Sequence, residues 1–159
     1  MYDKLFGEYN CMVAQVLLTA DVTASENSKR NVENTFRELL NMDIIPVVNE
    51  NDTVSIDELD GPHFGDNDTL SAVVAKLVGA DLLIILTDID GLYDTDPREN
   101  PNAGDAGTNR GTGGMVTKIR AAQIANEAGI SCCVMSGTHP KNLYQLLDGV
   151  QIGTTFAAL

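Results

Sequence analysis

Two short segments hold the side chains best suited to chemistry. GDND, Gly65 to Asp68, brackets a carboxamide with two carboxylates just ahead of an amphipathic pattern. GTGGMVTK, Gly111 to Lys118, sets three glycines ahead of a threonine and a lysine at a helix start. Glycine-rich backbone entering a helix lets N–H groups approach an anion, and a lysine adds a point charge for phosphoryl oxygens. The Walker A pattern is absent, because here the lysine follows the threonine. The plainer uses are helix capping for GDND and a solvated loop for the glycines. One acid suffices for a cap, so the second carboxylate and Asn67 are candidates for holding a substrate or an ion.

Further candidates stand where apolar runs end in polar residues, since ligands of open α/β sheets sit beyond the carboxyl ends of strands. Three such junctions occur: Asn49, Glu50, Asn51 and Asp52 after IIPVV, Thr87 and Asp88 after LLIIL, and Ser136 and Gly137 after CCVM. Asn, Asp, Ser and Gly also build ordinary turns, so each junction alone is weak. The acids Asp88, Asp90, Asp94 and Asp96 do not make a calcium loop of the EF-hand kind, which needs a preceding helix, a central glycine and a closing glutamate. His63 and His139 have no metal-ligand spacing to Cys11, Cys132 or Cys133, and the three cysteines read as reduced, buried thiols.

The elements that must position these residues follow from the apolar pattern. Strands are expected at Cys11 to Leu18, Ile44 to Val48, Asp81 to Leu86, Ser131 to Met135 and Val150 to Thr154. Helices are expected from a cap at Ser28 or Asn27 through Met42, around Leu70 to Leu77, from Thr117 to Ala128 closing at Gly129, and around Leu143 to Leu147. The stretch from Arg98 to Gly114 is expected to be a mobile loop. Strands apolar on both faces, alternating with helices, predict an α/β fold with a mostly parallel sheet sandwiched by helices. Ile44 to Val48, Leu82 to Leu86 and Cys132 to Met135 are its expected central strands.

Composition narrows the partners. The chain has 159 residues, 43% hydrophobic and 21% charged, enough for one domain with a real core. Its net charge of −13 repels nucleic-acid backbones and anionic lipid heads, so neither is an expected partner. A nucleotide site would need Mg²⁺ and a locally positive pocket. No run approaches the ~20 apolar residues of a membrane span and the N-terminus lacks a signal-peptide pattern, so a cytoplasmic location is expected.

The order of motifs resembles the amino acid kinase family: PVVNENDTV, FGDNDTLSA, LLIILTDIDGLYDTDPRENPNA, GTGGMVTKIRAA, SGTHP and IGTTF. The TDIDGLYDTDP element alone would also fit the branches acting on uridylate or isopentenyl phosphate. NEND, GDND and GTGGMVTK together are similar to the branch acting on glutamate. That resemblance implies ATP-dependent phosphorylation of the L-glutamate side-chain carboxylate to glutamyl 5-phosphate, the first step of proline biosynthesis, with ATP and Mg²⁺ as cofactors. It implies glutamate binding by Asn49, Asp52 and Asn67, and nucleotide binding by Thr87, Asp88, Thr112, Gly113, Gly114, Met115, Val116, Thr117 and Lys118. It places Lys118, Asp68 and Asp66 at the reaction centre. A homo-oligomer and proline as a feedback inhibitor are further implications.

The resemblance covers nearly all of residues 1–159, read as a partial kinase domain holding the nucleotide-binding half and part of the glutamate site. The family's opening strand, with a lysine in a KxGS-type motif, and its early glycine-rich turns have no counterpart here. Neither has the RNA-modification-type C-terminal domain of some members. The segment near Ala103 and Gly104 is shorter than the family's by on the order of twenty residues.

Overall fold

The computed structural model describes residues 1–53, 66–91 and 113–158. Gly65, Thr112, His63, Asp94, Asp96 and most of the expected mobile loop lie outside them. The chain forms two compact units, Met1–Leu70 and Ser71–Leu159.

In the first unit a short helix α1 (Tyr2–Gly7) leads into β1 (Met12–Leu18), a 3₁₀ turn (Ala20–Thr23), α2 (Glu26–Asn41) and β2 (Ile44–Glu50). β1 and β2 are parallel, with Met12 opposite Ile44 and Leu18 opposite Glu50. Two parallel strands need a crossover, and α2 supplies it. Its cap is Ser25, whose hydroxyl oxygen accepts from Ser28 N–H at 3.1 Å, rather than Ser28 or Asn27. The helix thus begins one turn earlier than its apolar spacing indicated, because six polar residues, Glu26 to Asn31, precede the first apolar one, Val32. Phe36 anchors α2, almost wholly buried.

In the second unit α3 (Asn67–Val78) leads into β3 (Leu82–Thr87), α4 (Gly113–Glu127), β4 (Ser131–Ser136), α5 (Asn142–Leu147) and β5 (Thr154–Phe156); α3's first residues belong to the first unit. The sheet order is β3-β4-β5, with β3 and β4 parallel and β5 antiparallel to β4. Cys132, Cys133, Val134 and Met135 are fully buried, as the centre of a sheet covered on both faces requires. Ala121, Ala122 and Ala125 of α4 are also buried, and such small side chains let the helix lie close on β4. α4 ends in a Schellman turn: Gly129, at φ +75°, donates its N–H to Asn126 O, and Ile130 N–H reaches Ala125 O.

Three expectations change. β2 has no fully buried residue and Ile45 is 41% exposed, so the apolar run Ile44 to Val48 is not a covered central strand within its two-stranded sheet. Leu86, near the end of β3, is likewise 49% exposed. The last strand starts at Thr154 rather than ending there, because Gly149 and Gly153, at φ +87° and +69°, turn the chain before it can pair. Among the described residues no helix is long and apolar enough to cross a membrane.

Candidate functional site

The first unit carries the NEND and GDND groups. Asn49 and Glu50 are the last residues of β2 rather than the start of a loop, and Asn49 is exposed. Just beyond, Asn51 N–H donates to Leu18 O at 2.7 Å, tying the carboxyl ends of the two strands together. Thr53 donates its hydroxyl to Asn51 Oδ1 at 2.7 Å, which closes the turn around Asp52 and leaves Asp52 exposed.

At the start of α3, Asp66 is the cap. Thr69 N–H donates to Asp66 Oδ1 at 2.7 Å, and the Thr69 hydroxyl donates to Oδ2 at 3.0 Å. Thr69 is 5% exposed, so its hydroxyl needs this partner. Both Asp66 oxygens are thereby engaged in building the helix start, which accounts for one of the two acids. Asn67, exposed, and Asp68, half-buried, follow in the first turn.

The second unit carries the nucleotide motifs. Thr87 ends β3, its carbonyl accepts from Gly137 N–H at 2.8 Å, and its hydroxyl donates to Asp88 Oδ1 at 3.2 Å. Ser136, at the end of β4, lies beside this pair, and its hydroxyl oxygen accepts from Thr138 N–H at 3.2 Å. Thr87 and Asp88 therefore share one sheet end with Ser136 and Gly137, two of the three sequence junctions brought together by the parallel register.

α4 begins at Gly113, one turn ahead of the expected Thr117, so Gly113 and Gly114 are helical. Their N–H groups belong to the first turn, where no intrahelical acceptor exists, and that turn favours an anion. Among the described residues no atom lies within 4 Å of a would-be Cβ on Gly114. Gly114 O accepts from the Thr117 hydroxyl at 3.0 Å and from Lys118 Nζ at 3.3 Å, which folds the lysine head back over the first turn. Met115 is buried in the core cluster, so its side chain anchors the helix; Val116 is exposed on the other side.

Burial pushes the Cys133 thiol up, against a smaller opposite effect of a hydrogen bond with Thr155. It sits mid-strand, away from these groups. Sequence reasoning missed one feature of this end of the sheet, the approach of Gly91 to Gly153 and Thr154, where a Cβ on Gly91 would lie 3.0 Å from Thr154 Oγ1. The glycines in TDIDGLY and IGTTF were the available signal, but nothing in their spacing says that they meet.

The chain is similar to known proteins in sequence and in fold. The chain is 52% identical over 176 aligned positions to a glutamate 5-kinase of Clostridium perfringens, covering 99% of this chain and 65% of the relative. A glutamate 5-kinase of Cyanothece is 47% identical over 98% of this chain and 46% of its own length, and one of Listeria monocytogenes 46% identical over 99% and 64%. The chain thus spans about two thirds or less of the curated relatives it matches. The 176 aligned positions exceed the chain's 159 residues, so the relative has positions without a counterpart here.

Solved structures match at the level of fold. Isopentenyl phosphate kinase superposes with a TM-score of 0.67 at 22% identity, covering 97% of this chain and 62% of that one. Uridylate kinase from Archaeoglobus fulgidus gives 0.54 at 18%, covering 98% and 66%. The model of the amino acid kinase family matches residues 1–136, the span that holds NEND, GDND, the Thr87–Asp88 pair and the glycine-led start of α4. With its strand ends and helix starts carrying those motifs in that order, the chain belongs to the amino acid kinase family.

Proposed function

We propose that this chain supplies the nucleotide-binding part and a portion of the acceptor site of an ATP-dependent kinase that converts L-glutamate to glutamyl 5-phosphate, the first step toward proline. The observation that carries this reading is the 45–52% identity to proteins named glutamate 5-kinase across 98–99% of the chain. The isopentenyl phosphate and uridylate kinases share its fold at only 18–22% identity. The residue chemistry points the same way. Those acceptors carry phosphate and would favour basic groups, whereas Asn49, Asp52 and Asn67 offer carboxamides and a carboxylate suited to an ammonium group.

In this reading Asn49, Asp52 and Asn67 hold glutamate, and Thr87, Asp88 and residues Thr112 to Lys118 hold ATP, with Thr112 outside the described residues. The glutamate carboxylate is already ionised at neutral pH, so no catalytic base is needed, and the protein's work is positioning and charge stabilisation. Lys118 and the N–H groups of Gly113 and Gly114 stabilise charge on the transferred phosphoryl group. Met115 contributes through its backbone, its side chain being in the core.

Mg²⁺ is usually bound by one or two carboxylates together with substrate phosphates. Among the described residues no group of three or more His, Cys, Asp or Glu side chains forms a metal cage, which suits that mode. The two GDND acids, Asp66 and Asp68, are the candidate carboxylates, and both Asp66 oxygens also accept from Thr69. When bound, the ion neutralises phosphate charge. A homo-oligomer, inhibition by proline and a cytoplasmic location complete the proposal.

The test is acyl-phosphate trapping. With ATP, Mg²⁺, L-glutamate and hydroxylamine, the protein should form γ-glutamyl hydroxamate, and uridylate or isopentenyl phosphate should not stimulate ADP release. Binding of ATP and glutamate by calorimetry with no hydroxamate would make the chain a binding module instead. Failure to bind either ligand would overturn the proposal.

A further inference from the structure

The segment after β3 reaches across its own sheet. β5 pairs with β4 and not with β3, yet Gly91, four residues beyond the end of β3, is buried against β5. A Cβ on Gly91 would meet Thr154 Oγ1 at 3.0 Å, Thr154 N at 3.8 Å and Gly153 C at 3.9 Å. The segment from Thr87 to Gly91 therefore passes over the carboxyl end of β4. Its near end is held by the Gly137 N–H to Thr87 O hydrogen bond, and Ile89 in its middle packs on the core. Gly91 closes the far end.

The surface that Gly91 meets is itself fixed. Gly153 adopts φ +69°, and a Cβ there would lie 2.2 Å from Val134 O and 2.9 Å from Met135 Cβ. Val134 and Met135 are fully buried, so Thr154 stands on backbone that cannot move without disturbing the centre of the sheet. Only the absence of a side chain at both glycines permits this approach.

We propose that Gly91 and Thr154 are positioning residues for the nucleoside triphosphate. Their contact sets how closely the Thr87–Gly91 segment lies over β4, and through it the placement of Thr87 and Asp88. This rests on the assignment of Thr87 and Asp88 to the nucleotide. A side chain at Gly91 lifts the segment, and removing the Thr154 hydroxyl relieves that lift, because the next atom stands at an ordinary contact distance.

The experiment is titration calorimetry with ATP·Mg²⁺ on the wild type, Asp88→Asn, Gly91→Ala, Thr154→Ala and the Gly91→Ala/Thr154→Ala pair, with melting temperatures alongside. Gly91→Ala should weaken ATP binding by about tenfold, and the double variant should return to within about twofold of Thr154→Ala. A Gly91→Ala protein that melts lower but binds ATP as the wild type does, while Asp88→Asn binds it more weakly, overturns the inference and leaves the nucleotide assignment standing. Wild type that binds no ATP, or Asp88→Asn and Gly91→Ala both binding it normally, overturns the assignment and this inference with it. Should Gly91→Ala not fold, Thr154→Ala alone decides. It should bind ATP about threefold more weakly, with faster amide exchange over Asp88 to Gly91. Unchanged affinity in that variant overturns the proposal whatever the exchange does.

Discussion

Asp66 and Thr69 form a closed two-bond unit at the start of α3, with the Thr69 N–H on one carboxylate oxygen and the Thr69 hydroxyl on the other. The pair commits both oxygens of Asp66 to the helix start. Asp66 builds the helix start that aims Asn67 and Asp68.

Asp66→Ala should therefore act first on stability. Losing the cap costs about 1 kcal/mol, and the buried Thr69 hydroxyl left without its acceptor adds about 1 kcal/mol or more. Asp66→Asn keeps a good cap and should lose less than half as much. Urea unfolding of the three proteins checks the order. A kcat unchanged in Asp66→Asn but lowered in Asp68→Asn would assign the chemistry to Asp68 alone, whereas the reverse would restore Asp66 to the reaction centre.

Gly129 and Gly153 share a left-handed backbone, at φ +75° and +69°, and differ in the room around them. Among the described residues a Cβ on Gly129 meets nothing within 4 Å, so Gly129→Ala should cost only the backbone strain, about 1–2 kcal/mol. Gly153→Ala adds collision with Val134 O and Met135, and should cost roughly 3 kcal/mol or more. Thermal unfolding of both variants measures the difference. Equal losses would mean that β5 can move off β4 at little cost.

The thiols should report the same core. Cys132 and Cys133 are fully buried, and burial raises the Cys133 pKa, so little reactive thiolate is present at neutral pH. Cys11 is half-buried at the entrance to β1. A disulfide reagent at pH 7.5 should modify one thiol quickly in the native protein and three in denaturant. Fast reaction of two or more would show that the β4 strand opens readily.

How much of this was readable from the chain depended on whether a signal was local. Cys132 to Met135 is apolar at every position, and a strand with no polar face has to be buried; it is. Ile44 to Val48 has the same look, yet among the described residues β2 pairs only with β1 and Ile45 stays exposed, because burial is a property of neighbours and not of the run itself. The helix caps were misplaced by up to a turn for a related reason. Ser25 and Gly113 begin helices before any apolar residue announces the period. Thr87 beside Gly137 was expected as two separate strand ends, and parallel pairing in register joined them. The meeting of Gly91 with Thr154 had no sequence signal, since it arises where a connection crosses a strand.

Lys118 offers the sharpest test of the proposed chemistry. Its Nζ donates to Gly114 O at 3.3 Å, so its charge is held over the first turn of α4, where the N–H groups of Gly113 and Gly114 also favour an anion. An interaction made mainly with charge that develops in the transition state is lost from kcat and not from ground-state binding. Lys118→Ala should lower kcat by about 10²-fold or more and leave the KM for glutamate nearly unchanged. Alanine is a strong helix former, so the melting temperature should hardly move, and a loss of rate cannot then be put down to misfolding. Arginine at this position keeps the charge but not its compact geometry, and should recover only part of the rate. An unchanged kcat in Lys118→Ala with a modest rise in the KM for ATP would place Lys118 at the rim of the nucleotide site, and leave the phosphoryl charge to the N–H groups of Gly113 and Gly114 or to residues elsewhere.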